Sequence, residues 1–558
     1  MPDYVCRRLI LFLDGTWNQD TEDHPATSIV YLRERLFWGL QVRLREKFSI
    51  DHEEFEKLDD FKKKGISGLV LDGFEYIVYY DRGVGTGPFL DPLKGGIFGD
   101  GLDQKIREAY RFLSFWYRPG DEVFIFGFSR GAYTARSLAG YLQAVGLLRC
   151  EHCTTENEER AWKYYRTNPV DRLSGEWAWF QKPKEDPLVH DGRYMRVRAL
   201  AVFDTVGALG VPAEGFRRIN RSKYEFHDTD VNSLVDIALH AVAIDEPRRA
   251  FEPSIWTKPK FKLHDPQKSP VEQVWFAGAH ADIGGGYVKW NQDDFGLSSM
   301  PLAWMLQRLK RLVIDTGPVA AEPDDFKPTV APKRNAPIPF YDWDLLKAVN
   351  PVPAGMPPHG DGKFDIRTEF RDFAKADQHK PWAAASIVRR DAWRTINQLP
   401  VPKAKNVETA GRVAYADPIG ESVHVSALER LLCKVVTDKG RVMNVFGKEA
   451  DYAPANLLSA IPYLAASYLH DAIVTPWRGI VGPIFSWKRF RIVDWNGEPL
   501  DPSVAADAKR AFALLPKPDR IGVTKMPDEM KLMLVPPATP HAAPVALPPA
   551  AQPPATSP

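Results

Sequence analysis

The chain lacks most of the features that assign a protein to a class at a glance. Four cysteines in 558 residues cannot build the disulfide framework of a small secreted scaffold. Two of them, Cys150 and Cys153, form a lone CEHC, and a structural zinc site would need a second ligand pair. Reduced, structural thiols are the expectation. Charge of one sign is also missing: 73 Lys and Arg against 72 Asp and Glu leave a formal net charge of +1, so no broad field would hold a nucleic-acid backbone. Long apolar runs are absent too. Leu9–Leu13 stops at Asp14, too short and wrongly flanked for a secretory signal. Leu457–Leu469 is shorter than the ~18 residues of a membrane span. These gaps predict synthesis in the cytoplasm without a signal peptide or transmembrane helix, any export using a route that reads no N-terminal signal.

What is present is a repeating alternation. Five short apolar runs end in turns bearing Gly or Asp: LILFLDGT from Leu9, YIVYYDRGVG from Tyr76, VFIFGFS from Val123, VRALAVFDTVG from Val197 and VEQVWFAGAH from Val271. Such nearly unbroken runs suit strands buried on both faces. Helical patterns lie between them. Gly101–Tyr117 puts Ile106, Tyr110, Leu113 and Tyr117 on one stripe, and another pattern begins at Gly131. The alternation predicts an α/β fold with a doubly wound, mostly parallel sheet, which binds ligands beyond the carboxyl ends of its strands.

The length exceeds one core, so further parts are expected. Residues 1–316 form the expected catalytic unit, with a charged, solvated insertion at 32–70 that includes FEKLDDFKKKG. Proline clusters then interrupt short amphipathic pieces, predicting an irregular, mainly helical accessory region over 317–534. The uncharged Pro- and Ala-rich tail at 535–558 reads as disordered or polyproline-like.

The most informative stretch is FIFGFSRGAYTAR, Phe124–Arg136. Gly127 and Gly131 flank Ser129 at spacing two, after a buried run and before a helix. That is the context of a nucleophile elbow, where only glycine fits the sharp turn and the serine is lifted above the sheet in a strained conformation. The N–H of Arg130 becomes one oxyanion donor. A serine hydroxyl needs a base, and the base needs an orienting carboxylate. The next strand ends supply Asp204 and then His280, in the order expected after such a serine. Taken singly, Asp204 could be a helix cap and His280 a loop histidine. A second oxyanion donor is expected from Gly15, Thr16, Trp17 or Asn18, with Asp14 in support. The DGT at Asp14 also resembles haloacid-dehalogenase phosphatases, but Phe12 stands where their nucleophilic aspartate would lie.

HAVAIDEPRRAF offers competing groups. His240 is read as closing an apolar helical face with Val235, Leu239 and Val242, hence as packed. Asp245 is a supporting candidate, and Glu246 with Arg248 or Arg249 reads as an ion pair supporting the site. Asp282 could orient His280 or bind a cation. Gly284–Gly286 suggests a flexible or closely approached backbone at the pocket mouth, without the Lys-Ser/Thr of a P-loop.

In this order LFLDGTWN, YYDRGVGTG, PGDEVFIFGFSRGAYTAR, VFDTVG, HAVAIDEPRRAF and WFAGAHADIGGGY resemble the type VI secretion lipase effectors of the first group, across about residues 8–305. The catalytic region of that family is otherwise called a domain of unknown function. The resemblance implies an α/β-hydrolase fold, a Ser–Asp–His triad falling on Ser129, Asp204 and His280, and phospholipase activity on glycerophospholipid esters. It also implies injection into neighbouring bacteria, with a secretion-apparatus spike or adaptor and an immunity protein as partners. Tyr468–Gly479, followed by WKRFRIV, is similar to a late segment of some members but has an alanine where a serine is usual.

The expected chemistry is acyl transfer through Ser129, with no metal or cofactor required. The 16 tryptophans and the aromatic–basic stretch Trp477–Phe490 suit peripheral contact with a bilayer surface. Two other readings stand beside the phospholipase: a cytoplasmic esterase on soluble acyl esters, and a non-catalytic binding protein on a hydrolase fold.

Overall fold

Strand β1 (Cys6–Leu13) is buried at every position, which an α/β sheet covered on both faces requires of its central strand. Its side chains split by parity. Ile10 and Phe12 enter one apolar layer and Leu9, Leu11 and Leu13 the other. Each such fully buried side chain contributes roughly 1.5–3 kcal/mol. The computed structural model describes residues 4–15, 26–48, 70–83, 97–167, 188–191, 195–206, 231, 233–246, 251, 253–256, 271–286, 297–316, 328–341, 420–432, 456–457, 460–461, 464–465, 468 and 490–515.

Around β1 the sheet grows in both directions. The further strands are β2 (Val70–Leu71), β3 (Phe74–Asp81), β4 (Glu122–Phe128), β5 (Val197–Phe203), β6 (Val235–Ala243), β7 (Val271–Phe276), β8 (Glu421–His424) and β9 (Arg491–Val493). Their order is β2-β3-β1-β4-β5-β6-β7-β8-β9, parallel throughout except for the short β2, which runs antiparallel to β3. Helices cover the two faces: α1 (Ser28–Phe48), α2 (Ile97–Trp116), α3 (Arg130–Val145), α4 (Thr155–Arg166), α5 (His280–Gly284), α6 (Ser299–Thr316), α7 (Val425–Leu432) and α8 (Ala505–Leu514). The stripe Ile106, Tyr110, Leu113 and Tyr117 is buried against α3, with the Tyr110 and Tyr141 rings stacked at 4.2 Å. This is the doubly wound, mostly parallel α/β-hydrolase-like sheet expected, with a C-terminal part of short helices.

Three features correct the sequence reading. The insertion read as solvated from residue 32 begins inside helix α1, whose Leu32, Leu36 and Leu40 are buried in the apolar layer of Ile10 and Phe12. The helical face assigned to Val235, Leu239, His240 and Val242 is strand β6. All nine of its residues are buried, with Asp236, Ile237 and three alanines at the remaining positions, so the apolar spacing fits a helical period and a buried strand equally. The sheet also runs past position 316. β8 pairs with β7 and β9 pairs with β8, and Val423, Leu428, Leu464 and Ile492 join the same apolar layer as Ile10 and Phe12. At four and three residues these strands are too short to register as apolar runs.

The parallel register aligns the strand ends. Leu13 lies opposite Asp81 and Gly127, Phe128 opposite Phe203, and Ala243 opposite Phe276. Residues 14, 129, 204, 244–246 and 277–280 therefore leave the sheet along one edge.

Candidate active site

Ser129 follows the last residue of β4 and precedes the first residue of α3, at φ 58° and ψ −121°. A non-glycine residue there is strained, and packing fixes it in place. Its N–H donates to the Phe203 carbonyl at 3.1 Å, and its own carbonyl accepts the Tyr133 N–H. The flanking glycines are sterically required. A Cβ on Gly127 would sit 2.7 Å from the Ala132 Cα, and one on Gly131 would overlap the Leu13 carbonyl. Gly127 thus allows the tight turn from β4 into α3, and Gly131 the close approach of α3 to the end of β1.

The histidine arrives from the next edge positions. His280 opens α5 immediately after the β7 turn, and its ring lies between Phe128 (centroids 4.7 Å) and Phe251 (4.8 Å, edge-on). His280 Nε2 lies 2.8 Å from Ser129 Oγ, and Nδ1 lies 2.6 Å from Asp204 Oδ2. Ser129, His280 and Asp204 are all buried. With the Nδ1 proton donated to Asp204, Nε2 accepts the serine hydroxyl. Asp204 is held by the Ala243 N–H on Oδ1 (2.9 Å) and by its own N–H to the Ala241 carbonyl (2.7 Å). It too has a positive φ, 35°. The three groups singled out in the sequence are therefore in one hydrogen-bonded line, able to shift a proton from a hydroxyl to an imidazole beside a fixed carboxylate.

Three further carboxylates hold the histidine turn through its backbone. Asp245 Oδ2 accepts the Gly278 N–H at 2.6 Å, Asp282 Oδ2 the Ala279 N–H at 2.8 Å, and Glu246 Oε2 the His280 N–H at 3.1 Å. Asp282 is thus bonded to the turn that carries His280. Among the described residues no cluster of three or more His, Cys, Asp or Glu could hold a metal ion. The ion pair expected between Glu246 and Arg248 or Arg249 lies outside the described residues. Two of the three glycines are closely approached: Gly284 lies against the Phe128 ring, and Gly285, at φ 80°, bridges to Thr27.

Asp14 organises the end of β1. Its carboxylate accepts the Gly15 N–H (2.7 Å), the Thr27 hydroxyl (2.8 Å) and the Tyr80 hydroxyl (3.1 Å), joining β1, the start of α1 and β3. This corrects the expectation for Gly15: its N–H faces the Asp14 carboxylate and is not directed at a developing oxyanion. Thr16, Trp17 and Asn18 lie outside the described residues. The Arg130 side chain is largely buried, and desolvation lowers its guanidinium to about 10. It borders a cleft at the ends of β1 and β3, beside Asp14, Asp81 and Lys105. Lys105 Nζ pairs with Asp81 at 3.2 Å.

His240 is packed, as the sequence reading had it, but its hydrogen bonds were not foreseen. It is fully buried and hydrogen-bonded to the acid loop, with Gln273, which carried no signal of its own, on its other nitrogen. Of the other sequence candidates, Cys150 is exposed and Cys153 half-buried, and both are free thiols. The tail at 535–558, residues 49–69 of the charged insertion and 477–489 of the aromatic–basic stretch lie outside the described residues, whereas Phe490 is buried. No described helix is long and apolar enough to cross a membrane.

Known proteins share parts of this chain. An uncharacterized protein of Saccharomyces cerevisiae, YEL023C, is 29% identical over 202 residues, 33% of this chain and 28% of that protein. The solved structure of the Tle1 effector bound to the VgrG spike of the type 6 secretion system is 20% identical, covering 51% of this chain and 52% of that one with a TM-score of 0.27. A crystal structure of an uncharacterized protein from Pseudomonas aeruginosa is 16% identical, covering 69% and 61%, with a TM-score of 0.31. The chain thus spans between about a quarter and three fifths of the length of these relatives. Residues 7–308, more than half of the chain and including every member of the hydrogen-bonded line, match the catalytic domain of Tle1-like type VI secretion phospholipase effectors, and the chain belongs to that family.

Proposed function

We propose that this protein is a serine hydrolase that cleaves carboxylic ester bonds of glycerophospholipids through an acyl-enzyme. The observation that carries the reading is the line from Ser129 Oγ through His280 to Asp204, at 2.8 and 2.6 Å. His280 Nε2 takes the hydroxyl proton as Ser129 attacks the ester carbonyl. Asp204 keeps the imidazole in the tautomer that can accept it and stabilises the imidazolium. The oxyanion is received by the N–H of Arg130, at the positive end of α3. His280 then protonates the departing lysolipid alkoxide. In the second half it activates water, which attacks the acyl-serine, releases the fatty acid and restores the hydroxyl.

Lipid as the substrate, and delivery into target cells with a spike or adaptor as partner and an immunity protein as antagonist, are supported by membership of the effector family. The decisive experiment incubates the full chain with vesicles of phosphatidylethanolamine and phosphatidylglycerol and reads the products by mass spectrometry. Equal amounts of lysolipid and free fatty acid, absent with Ser129→Ala, are expected. Intact lipid alongside rapid cleavage of monomeric short-chain esters would replace the phospholipase by an esterase of soluble substrates.

A further inference from the structure

We propose that His240 and Gln273 form a positioning relay that holds the carboxylate arm of the site and the aromatic wall beside the imidazole. This rests on the reading of Ser129, His280 and Asp204 as the reacting line. Asp204 has a positive φ of 35°, a conformation that costs roughly 1–3 kcal/mol and persists only where several contacts impose it. One of those contacts is on the next residue. The Thr205 N–H donates to His240 Nε2 at 3.1 Å. An imidazole that accepts on Nε2 carries its proton on Nδ1, and Nδ1 faces Gln273 Oε1 at 3.3 Å.

Gln273 is oriented by a two-point clasp. Its Oε1 accepts the Trp256 N–H at 2.7 Å, and its Nε2 donates to the Trp256 carbonyl at 2.9 Å. The segment it clasps lies along the acid loop. The Ser254 N–H donates to the Thr205 carbonyl at 2.9 Å, and Val206 bridges to Pro253. Just upstream of that segment, Phe251 stands edge-on to His280. A single buried pair on β6 and β7 therefore fixes both the loop carrying Asp204 and the strip that ends at the His280 ring. His240 and Gln273 are completely buried, so their contribution is made through these contacts and never by touching substrate.

The test compares His240→Gln with His240→Asn in the full-length chain. A glutamine amide oxygen reaches the position of Nε2 and can accept the Thr205 N–H, whereas asparagine falls short. With a monomeric short-chain ester, His240→Asn should lose kcat by about 10–100-fold with KM little changed, the loss expected for one buried donor left unmade. His240→Gln should retain most of the rate. The low-field proton resonance of the His280–Asp204 hydrogen bond should broaden or vanish in the asparagine variant and persist in the glutamine one. Equal rates and equal resonances for the two variants would overturn the proposal. Should His240→Asn fail to fold, nitrogen-15 shifts of histidine-labelled wild type decide. An unprotonated Nε2 and protonated Nδ1 on His240 are expected, and the reverse tautomer would overturn the relay. Wild type inactive on every ester would defeat the hydrolase reading, while the resonance and tautomer measurements would still judge the relay.

Discussion

The two ends of the sheet use the same residue types in opposite ways. At the amino end, guanidinium groups close off Glu122 and Asp236, while Asp121 beside them accepts the Arg7 and Arg118 N–H groups. Arg8, fully buried, meets Glu122 at 2.9 Å and also donates to the Tyr76 hydroxyl and the Ala336 and Pro337 carbonyls. Arg196 meets Asp236 at 2.6 Å, and on the flanking helices Arg107 and Arg111 converge on the buried Glu158. At the carboxyl end, Asp14, Asp204, Asp245, Glu246 and Asp282 instead accept backbone N–H groups, hydroxyls or an imidazole. A carboxylate closed by a guanidinium can do little more than hold segments together. One that accepts N–H groups shapes a turn and still projects its charge onto a neighbouring histidine. β4 joins the two regimes, with Glu122 at one end and Ser129 just beyond the other.

Substitutions at the two ends should therefore separate activity from stability. The largest effect belongs to Ser129→Ala. Its kcat should fall by roughly six orders of magnitude, the scale measured for the corresponding loss in subtilisin, with the melting temperature unchanged. Asp204→Asn comes next, with kcat down by about 10⁴ because the amide no longer enforces the imidazole tautomer. Arg8→Met should reverse the pattern. It strands Glu122 without its closest cation and should cost about 3–5 kcal/mol in denaturant unfolding, while activity per folded molecule stays near wild type. Glu246→Ala leaves the His280 N–H without that acceptor, and a loss of about tenfold in kcat should appear in initial rates on a monomeric ester.

The last effect is a slope in pH. His424 on β8 is stacked on Phe276 and packed edge-on to Trp495, and burial lowers its imidazole to about 3. The unfolded chain takes up that proton near pH 6.5 and the native chain does not, so stability falls as pH drops from about 6.5 towards 3. His424→Asn should reduce that slope by up to about 1.4 kcal/mol per pH unit, read from urea unfolding across the window. An unchanged slope would show that this histidine does not report acid destabilisation.

The extent to which the sequence foreshadowed this arrangement follows from how local each signal is. The elbow at Ser129 was legible because sterics demand Gly127 and Gly131 within two residues of it. Asp204 and His280 were legible because parallel strands deliver their ends to one edge, so chain order became spatial proximity. β6 was misread because complete burial erases the alternation that distinguishes a strand. β8 and β9 stayed hidden because they are stabilised by β7 and by the apolar layer rather than by their own few residues. The bonds of His240 and Gln273 left no trace, since they join residues 17 to 35 positions apart through a register that only the folded sheet defines. Gly15 was misassigned for a related reason: its neighbour Asp14 competes for its N–H, which spacing alone does not reveal.

The central claim is that Ser129 is the nucleophile activated by His280, and covalent labelling tests it most directly. Full-length protein is treated with a fluorophosphonate, and the adduct is counted by intact mass and mapped by peptide sequencing. The account predicts one adduct per chain, on Ser129, formed at least a thousandfold more slowly in His280→Ala, in keeping with removal of one member of such a triad. An unlabelled wild-type chain, an adduct on another residue, or labelling at the same rate without His280 would contradict it.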